Sequence, residues 1–200
     1  KTTVILQSCQ ARAPLRHPGG HLRALMVGHL RAEKAPDTYF NVARRLVDRH
    51  DILLDHVGAA LEPQLGEQAS ALMQQCPQYR WLGPLPHAAV RRRIQAAHVL
   101  VHPSRMEGGA HVVIEEIRSG TPVLASGNDG NIGLLGEDYT GYFPVGNDLA
   151  LASLLESARD LPGMLEGLKA ECDARAYLFD PARERAAVQA LVTSLMTRQP

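Results

Sequence analysis

An open, doubly wound α/β sheet is the fold class this sequence predicts: mostly parallel, about six strands wide, with helices on both faces. Three observations predict it. Short apolar runs recur along the chain, and most are closed by Gly or Pro. Longer segments with apolar residues at helical spacing lie between them. The two kinds alternate, so successive strands are joined by helical crossovers and run parallel.

The elements follow in order. Thr3–Leu6 reads as a short strand, and Ala11–Gly20, rich in Arg, Pro, His and Gly, as a linker. Leu22–Val27 is an apolar run closed by Gly28, as a buried strand should be. Pro36–Arg49 sets Phe40, Ala43, Leu46 and Val47 on one helical face. Pro36 suits the first turn of that helix, and Asp37 its positive end. Ile52–Val57 is a second strand, closed by Gly58, and Pro63–Gln75 a helix. Tyr79–Leu82 is a third strand ending at Gly83, followed by a basic-faced helix over His87–Ala97. Val99–His102 is a fourth strand, stopped by Pro103. Ala110–Ser119 is a helix with Gly120 at its C′ position. Pro122–Ala125 is a fifth strand, and the Gly- and Asn-rich Gly127–Gly136 a loop. Gly141–Val145 is a sixth strand, and Asp148–Arg159, Pro162–Ala176 and Pro181–Thr197 are helices. The pattern is Rossmann-like.

Composition narrows what such a sheet can do. The 200 residues are 45% hydrophobic and 21% charged, an ordinary globular balance. A chain of this length buries roughly 70% of its unfolded surface, so its core needs no disulfide or metal staple. Lys+Arg and Asp+Glu both number 21, giving a formal net charge of zero. A nucleic-acid partner would call for a basic excess, so none is expected. No apolar run approaches the ~20 residues of a membrane span, and no signal-peptide pattern opens the chain. Cys9, Cys76 and Cys172 are odd in number and far apart, which suits a reducing, cytoplasmic setting. Aromatics are only 4%, so Leu, Val, Ile and Ala must build the core. The chain opens on Lys1 rather than Met, as a processed chain or a piece of a longer one would.

Doubly wound sheets bind ligands beyond the carboxyl ends of their strands, so the chemistry is sought there. After the first strand comes Gly28-His29-Leu30-Arg31-Ala32-Glu33-Lys34. The glycine admits close backbone approach, and Arg and Lys neutralise phosphate. The same residues would also serve a solvated surface turn. After the fourth strand comes Pro103-Ser104-Arg105-Met106-Glu107-Gly108-Gly109-Ala110-His111, running into a helix that holds Glu115 and Glu116. Two glycines at a helix start expose N–H groups beside the positive dipole end, an anion site. Carboxylates at Glu107 and Glu115 accept paired hydrogen bonds from vicinal hydroxyls of a ribose or hexose. The blander alternative makes Glu107 a dipole partner and Glu115 a solvated side chain.

Other nucleotide signatures are missing. Ser126-Gly127-Asn128-Asp129-Gly130-Asn131-Ile132-Gly133 does not match G-x-G-x-x-G, and the second strand ends in Val57-Gly58 with no acidic residue for an NAD ribose. No G-x-x-x-x-G-K-[ST] occurs either, so NAD enzymes and P-loop NTPases are set aside. Trp81 reads as core, while the backbone from Gly83 to Leu85 is placed to touch a flat base. His98 and His102 share a face of the fourth strand without a third ligand nearby, so no metal site is expected. His17 and His21 flank a Pro-Gly-Gly linker and read as inert, and Arg91-Arg92-Arg93 as a solvated helix face.

Together these residues resemble a known family. Glu107 and Glu115, with Ser104 and Gly108 beside the first and Gly120-x-Pro122-Val123 after the second, resemble the E-x7-E signature of retaining GT-B glycosyltransferases. That large family includes bacterial-type sucrose-phosphate and glycogen synthases. The segment from Gly28 to Lys34 resembles the family's V-G-R-L-x-x-x-K-G, with His29 in place of Arg and Ala35 in place of the final Gly. Within the family, five stretches look most like the selenosugar synthases of selenoneine biosynthesis. They are Gly28-His29-Leu30-Arg31, Tyr79-Arg80-Trp81-Leu82-Gly83, Ser104-Arg105-x-Glu107-Gly108-Gly109-Ala110, Gly133–Gly146 and Leu178-Phe179-Asp180-Pro181-x-x-Glu184.

The resemblance implies one half of a GT-B fold, binding a UDP-sugar and passing its hexosyl group to selenophosphate. Glu115 would accept bonds from the uridine ribose, and Glu107 would hold hydroxyls of the donor sugar. Backbone N–H groups at Gly108, Gly109 and Ala110 would face the diphosphate or sugar, with Ser104 and His111 among the donor-binding residues. Lys34 would neutralise the leaving diphosphate, with Gly28, His29 and Arg31 close by, and Gly83 and Leu85 would lie near the uracil. No cofactor or metal is implied. The resemblance also implies a crossover over residues 1–21, a nucleotide-sugar domain over 22–180, and a helix over 181–200 crossing to an N-terminal GT-B half. The readings left open are transfer to a hydroxyl acceptor and a non-catalytic UDP-sugar-binding module.

Overall fold

A computed structural model describes residues 3–15 and 19–197. His17 and the ends of the first and last segments named above, Lys1, Thr2 and residues 198–200, lie outside the described residues. In chain order the elements are β1 (Leu22–Val27), α1 (Pro36–Arg45), β2 (Ile52–Val57), α2 (Pro63–Gln75), β3 (Tyr79–Trp81), α3 (His87–Ala96), β4 (Val99–His102) and α4 (His111–Ile117). They continue with β5 (Val123–Ser126), α5 (Asp129–Leu135), β6 (Tyr142–Phe143), α6 (Asp148–Asp160), α7 (Met164–Arg175) and α8 (Pro181–Met196). Short 3-10 turns sit at Ala32–Lys34 and Ala176–Phe179.

The six strands pair in the order β3-β2-β1-β4-β5-β6, every pair parallel. The chain winds outward from β1 to β3, then returns to place β4 on the other side of β1. That reversal opens a crevice at the carboxyl ends of β1 and β4, the place where such sheets take ligands. β4 and β5 are buried along their whole length, which is why each opens on three consecutive apolar residues rather than alternating with polar ones. The scarce aromatics concentrate beside β2, where Tyr39, Phe40, Tyr79 and the buried His56 meet edge to face.

Two expected elements are corrected. Thr3–Leu6 forms no strand; the lead-in runs across the helices and bonds to them instead. Cys9 N donates to Phe179 O (3.2 Å), Arg12 N to Arg118 O (2.9 Å) and Leu15 N to Gln95 O (2.8 Å), none of them in a strand. Gly127–Gly136 is not a loop, because it holds α5. The Asn128 side chain caps that helix by accepting from Asn131 N (3.0 Å), and Asn131 in turn is buried and donates to Ser126 O (2.9 Å). The Asn residues taken as loop markers are the cap and its anchor. α1 also stops at Arg45 rather than Arg49, where Gln78 Nε2 donates to the carbonyls of Ala43 (2.9 Å) and Leu46 (3.0 Å).

Candidate functional site

Glycine governs the approach to the crevice. Gly28 follows β1 and Gly58 follows β2; a Cβ on Gly58 would lie 2.0 Å from Gly28 O. Only glycine lets these two turns pack, and Gly58 N then donates to Gly83 O (3.0 Å) beyond β3. The Gly28 carbonyl is held from below by His56, whose Nε2 lies 3.1 Å away and whose Nδ1 lies 3.1 Å from Tyr79 OH. Burial pulls the His56 pKa down to about 4, against the upward pull of Gly28 O, so the imidazole is neutral.

The loop after β4 is held as firmly. Ser104 O accepts from Asn128 Nδ2 (2.9 Å) and from Ser126 Oγ. A Cβ on Gly130 would lie 2.1 Å from Glu107 O, so α5 can support the Glu107 backbone only through a glycine. Arg105 N donates to Glu33 O (2.9 Å), which joins this loop to the one after β1.

Across that junction Lys34 Nζ bonds Glu107 Oε1. The buried His102 places Nε2 3.4 Å from the same oxygen. Burial opposes the charge on Glu107, but His102, Lys34 and Ser104 together outweigh it and hold the carboxyl at about 2. Glu107 is therefore an anion at every physiological pH and supplies no proton. Burial keeps His102 below the ordinary imidazole value, so it too is neutral.

A cavity of about 270 Å³ adjoins the pair, and Gly28, His29, Lys34, Leu85, Ala110 and His111 all line it. Val57, Val90 and Val112 give it apolar walls. Six residues singled out by sequence thus share one recess. His29 Nδ1 accepts from Ala59 N (3.0 Å). Gly108 and Gly109 are exposed, with nothing within 4 Å of where a side chain would start. Other sequence candidates are placed differently. Arg31 is exposed and faces Glu33 at 3.9 Å, and Ser104 is buried behind the loop.

Glu115 does not line the cavity; it is buried one turn further along α4. Its Oε1 takes His87 Nε2 (2.8 Å) and Arg91 Nη1 (3.1 Å), with His111 Nε2 at 3.9 Å. These contacts all fall on Oε1. Arg91 is 3% exposed, so the expected solvated face of three arginines is corrected: its first member is a buried counter-ion. Sequence reasoning missed His87, Arg91 and His102 as partners of the two glutamates. The basic run on a helix that follows a strand was the available signal. Cys9, His111 and Glu115 bring ligand atoms within 4.8 Å of one another, but the Arg91 guanidinium bonds both Cys9 Sγ and Glu115 and fills that position with a cation.

The sequence pattern of the family described as "Glycosyl transferases group 1" matches residues 9–177. The chain belongs to the group 1 glycosyltransferases. A D-inositol 3-phosphate glycosyltransferase of Streptomyces griseus subsp. griseus is 28% identical over 180 residues, 84% of this chain and 38% of the relative. The Thermomonospora curvata protein of the same name is 28% identical over 172 residues, 80% of this chain and 40% of the relative. The chain thus spans about two fifths of these curated relatives. Among solved structures, the sucrose-phosphate synthase of Thermosynechococcus elongatus superposes with a TM-score of 0.78 at 22% identity, over 91% of this chain and 47% of that one. Anabaena HepE in complex with UDP and glucose gives 0.75 at 17%, over 89% and 49%. This glycosyltransferase domain therefore has the fold of about half of each solved chain. No helix among the described residues is long and apolar enough to cross a membrane.

Proposed function

We propose that this domain binds the nucleotide-sugar donor of a glycosyltransferase, with UDP in the recess between β1 and β4. The observation that carries the reading is the Lys34–Glu107 pair at the sheet's switch point, opening onto a cavity with apolar walls. The uracil lies against Leu85, below the turn at Gly83. The ribose hydroxyls bond the Glu115 carboxylate, and the diphosphate meets Lys34 and the N–H groups of Gly108, Gly109 and Ala110. Glu107, fully ionised, accepts hydrogen bonds from sugar hydroxyls.

Chemistry follows from charge. The bond from the sugar C1 to the diphosphate oxygen breaks, and its electron pair stays on UDP. Lys34 and fixed N–H dipoles stabilise that growing charge, and electrostatic preorganisation of this kind is commonly the largest catalytic contribution. Donor binding lowers the Lys34–Glu107 attraction, because the diphosphate competes for the ammonium.

The acceptor we propose is selenophosphate, which makes the whole enzyme a selenosugar synthase; the five stretches named in the sequence support this. A selenium lone pair then forms the C–Se bond without a general base. One observation favours a second acceptor class, a hydroxyl on a phosphate-bearing polyol: two relatives at 28% identity are named inositol-phosphate glycosyltransferases. In either case an acceptor-binding half completes the site, and α8, a sixteen-residue helix with no buried residue, offers Val188, Val192 and Leu195 to it. The test is product analysis by mass spectrometry on the full-length protein, given a UDP-sugar with selenophosphate or with a panel of alcohols. A selenium-containing sugar product formed only with selenophosphate supports the first acceptor. A glycoside formed only with an alcohol excludes it.

A further inference from the structure

A second cavity, of about 370 Å³, opens between α3 and the strands β1 and β2. It shares no lining residue with the donor recess. Arg23, Asp55, Arg92 and Arg93 line it, with Leu15 and Leu25 among its apolar residues. Arg23 stands near the start of β1, at the end away from Gly28. Leu25, Asp55 and Arg80 sit in register across three strands, so their side chains share the face that α3 only partly covers.

The charges there do not balance. Asp55 is 1% exposed, and Arg80 takes both its oxygens, Nε to Oδ1 at 2.8 Å and Nη2 to Oδ2 at 3.0 Å. That fork satisfies the carboxylate. Arg93 reaches it only at 3.5 Å and Arg23 only at 4.0 Å. The Arg92 side chain has no partner among the described residues. Three guanidinium groups thus gather around one carboxylate, and Arg92 adds a fourth to the same cavity, in a chain whose formal net charge is zero. Arg23 Nε is also enclosed without a hydrogen-bond acceptor, and buried donors left in that state are uncommon unless a ligand or water completes them.

We propose that this recess binds a phosphomonoester, its dianionic head on Arg23, Arg92 and Arg93 and an apolar body against Leu15 and Leu25. A phosphate monoester matches the local excess of positive charge better than a carboxylate does. Its three oxygens also suit several planar guanidinium forks at once. The apolar lining selects a body that inorganic phosphate lacks. α3 supplies Val90 to the donor recess and Arg92 to this one, so the two sites share a helix.

The test is a calorimetric titration of the chain with phenyl phosphate at low ionic strength, beside Lys34→Met, Arg23→Gln and Arg92→Gln. Arg92 is exposed, so its variant keeps the fold, which thermal melting checks. Saturable binding is expected in the wild type and in Lys34→Met, weakened about tenfold or more in each arginine variant. Benzyl alcohol, with the same ring and no charge, is expected not to bind. No saturable binding of phenyl phosphate overturns the proposal. So does binding that Lys34→Met abolishes and both arginine variants retain, because that places the phosphate in the donor recess.

Discussion

Two carboxylates, one just before α4 and one within its last turn, are shifted in opposite directions. Glu107, just before the helix, has a side chain 12% exposed and is held at about 2, with an ammonium and an imidazole against its oxygen. Glu116, near the helix end, is fully buried. Burial and the neighbouring Glu115 push its carboxyl well above the ordinary value, outweighing the pull of Arg91 and the nearby Thr121, and neither of its side-chain oxygens makes a well-aligned hydrogen bond among the described residues. Both are largely withdrawn from water, so depth alone does not set their charge. The supply of partners does. The carboxylate held low pairs with Lys34, which lines the recess, and the one pushed up is buried within α4 itself.

The sharpest way to break this comparison lies between the two, at Glu115. Arg91→Leu leaves that buried carboxylate without its guanidinium and should cost about 3–5 kcal/mol in urea unfolding. Adding Glu115→Gln should recover much of the loss, since the unpaired charge is then gone. A second mutation that recovers nothing means the pair is not the source.

The next effect comes from the neutral imidazole under Gly28. The folded His56 pKa of about 4 lies below the ordinary 6.5, so the unfolded chain binds a proton that the folded one refuses. Stability from this residue is present above pH 6.5 and is lost as pH falls toward 4, by about 3 kcal/mol. Unfolding free energies measured from pH 7.5 to 4, with the His56 resonance followed by NMR, check the sign and the window.

Glu116 gives the smallest effect and the opposite sign. Its folded pKa is raised, so the stability it allows is fully present below pH 4.5 and is lost as pH rises. Glu116→Gln keeps the shape without the proton and should raise Tm at pH 8 by about 2–4 °C, as a gain of about 1 kcal/mol does in a domain this size. At pH 4 the gain should nearly vanish. An equal gain at both pH values means that Glu116 is not protonated in the fold.

Much of the fold was legible because parallel strands buried on both faces advertise themselves as apolar runs closed by Gly. The reversal between β1 and β4 was not legible in any one segment, since strand order is a property of the whole sheet. α5 was hidden because Gly and Asn are poor helix formers on average. Here Asn128 is a cap, Asn131 a buried anchor, and Gly130 the one residue slim enough to pass under Glu107 O. At the candidate site, Gly28, His29, Lys34, Leu85, Ala110 and His111 could be chosen by position after strands. The partners His87, Arg91 and His102 could not, because each meets its glutamate only through the packing of separate elements. Arg31, chosen from its place in the same run, is exposed and faces Glu33.

The central claim is that the recess at Lys34 and Glu107 holds the donor's diphosphate. Calorimetric titration of this chain with UDP, beside Lys34→Met, tests it most directly. Saturable binding is predicted for the wild type, and Lys34→Met should weaken it by about 2 kcal/mol, roughly thirtyfold. Equal affinity in the two proteins, with both shown to be folded by their melting curves, would contradict the account.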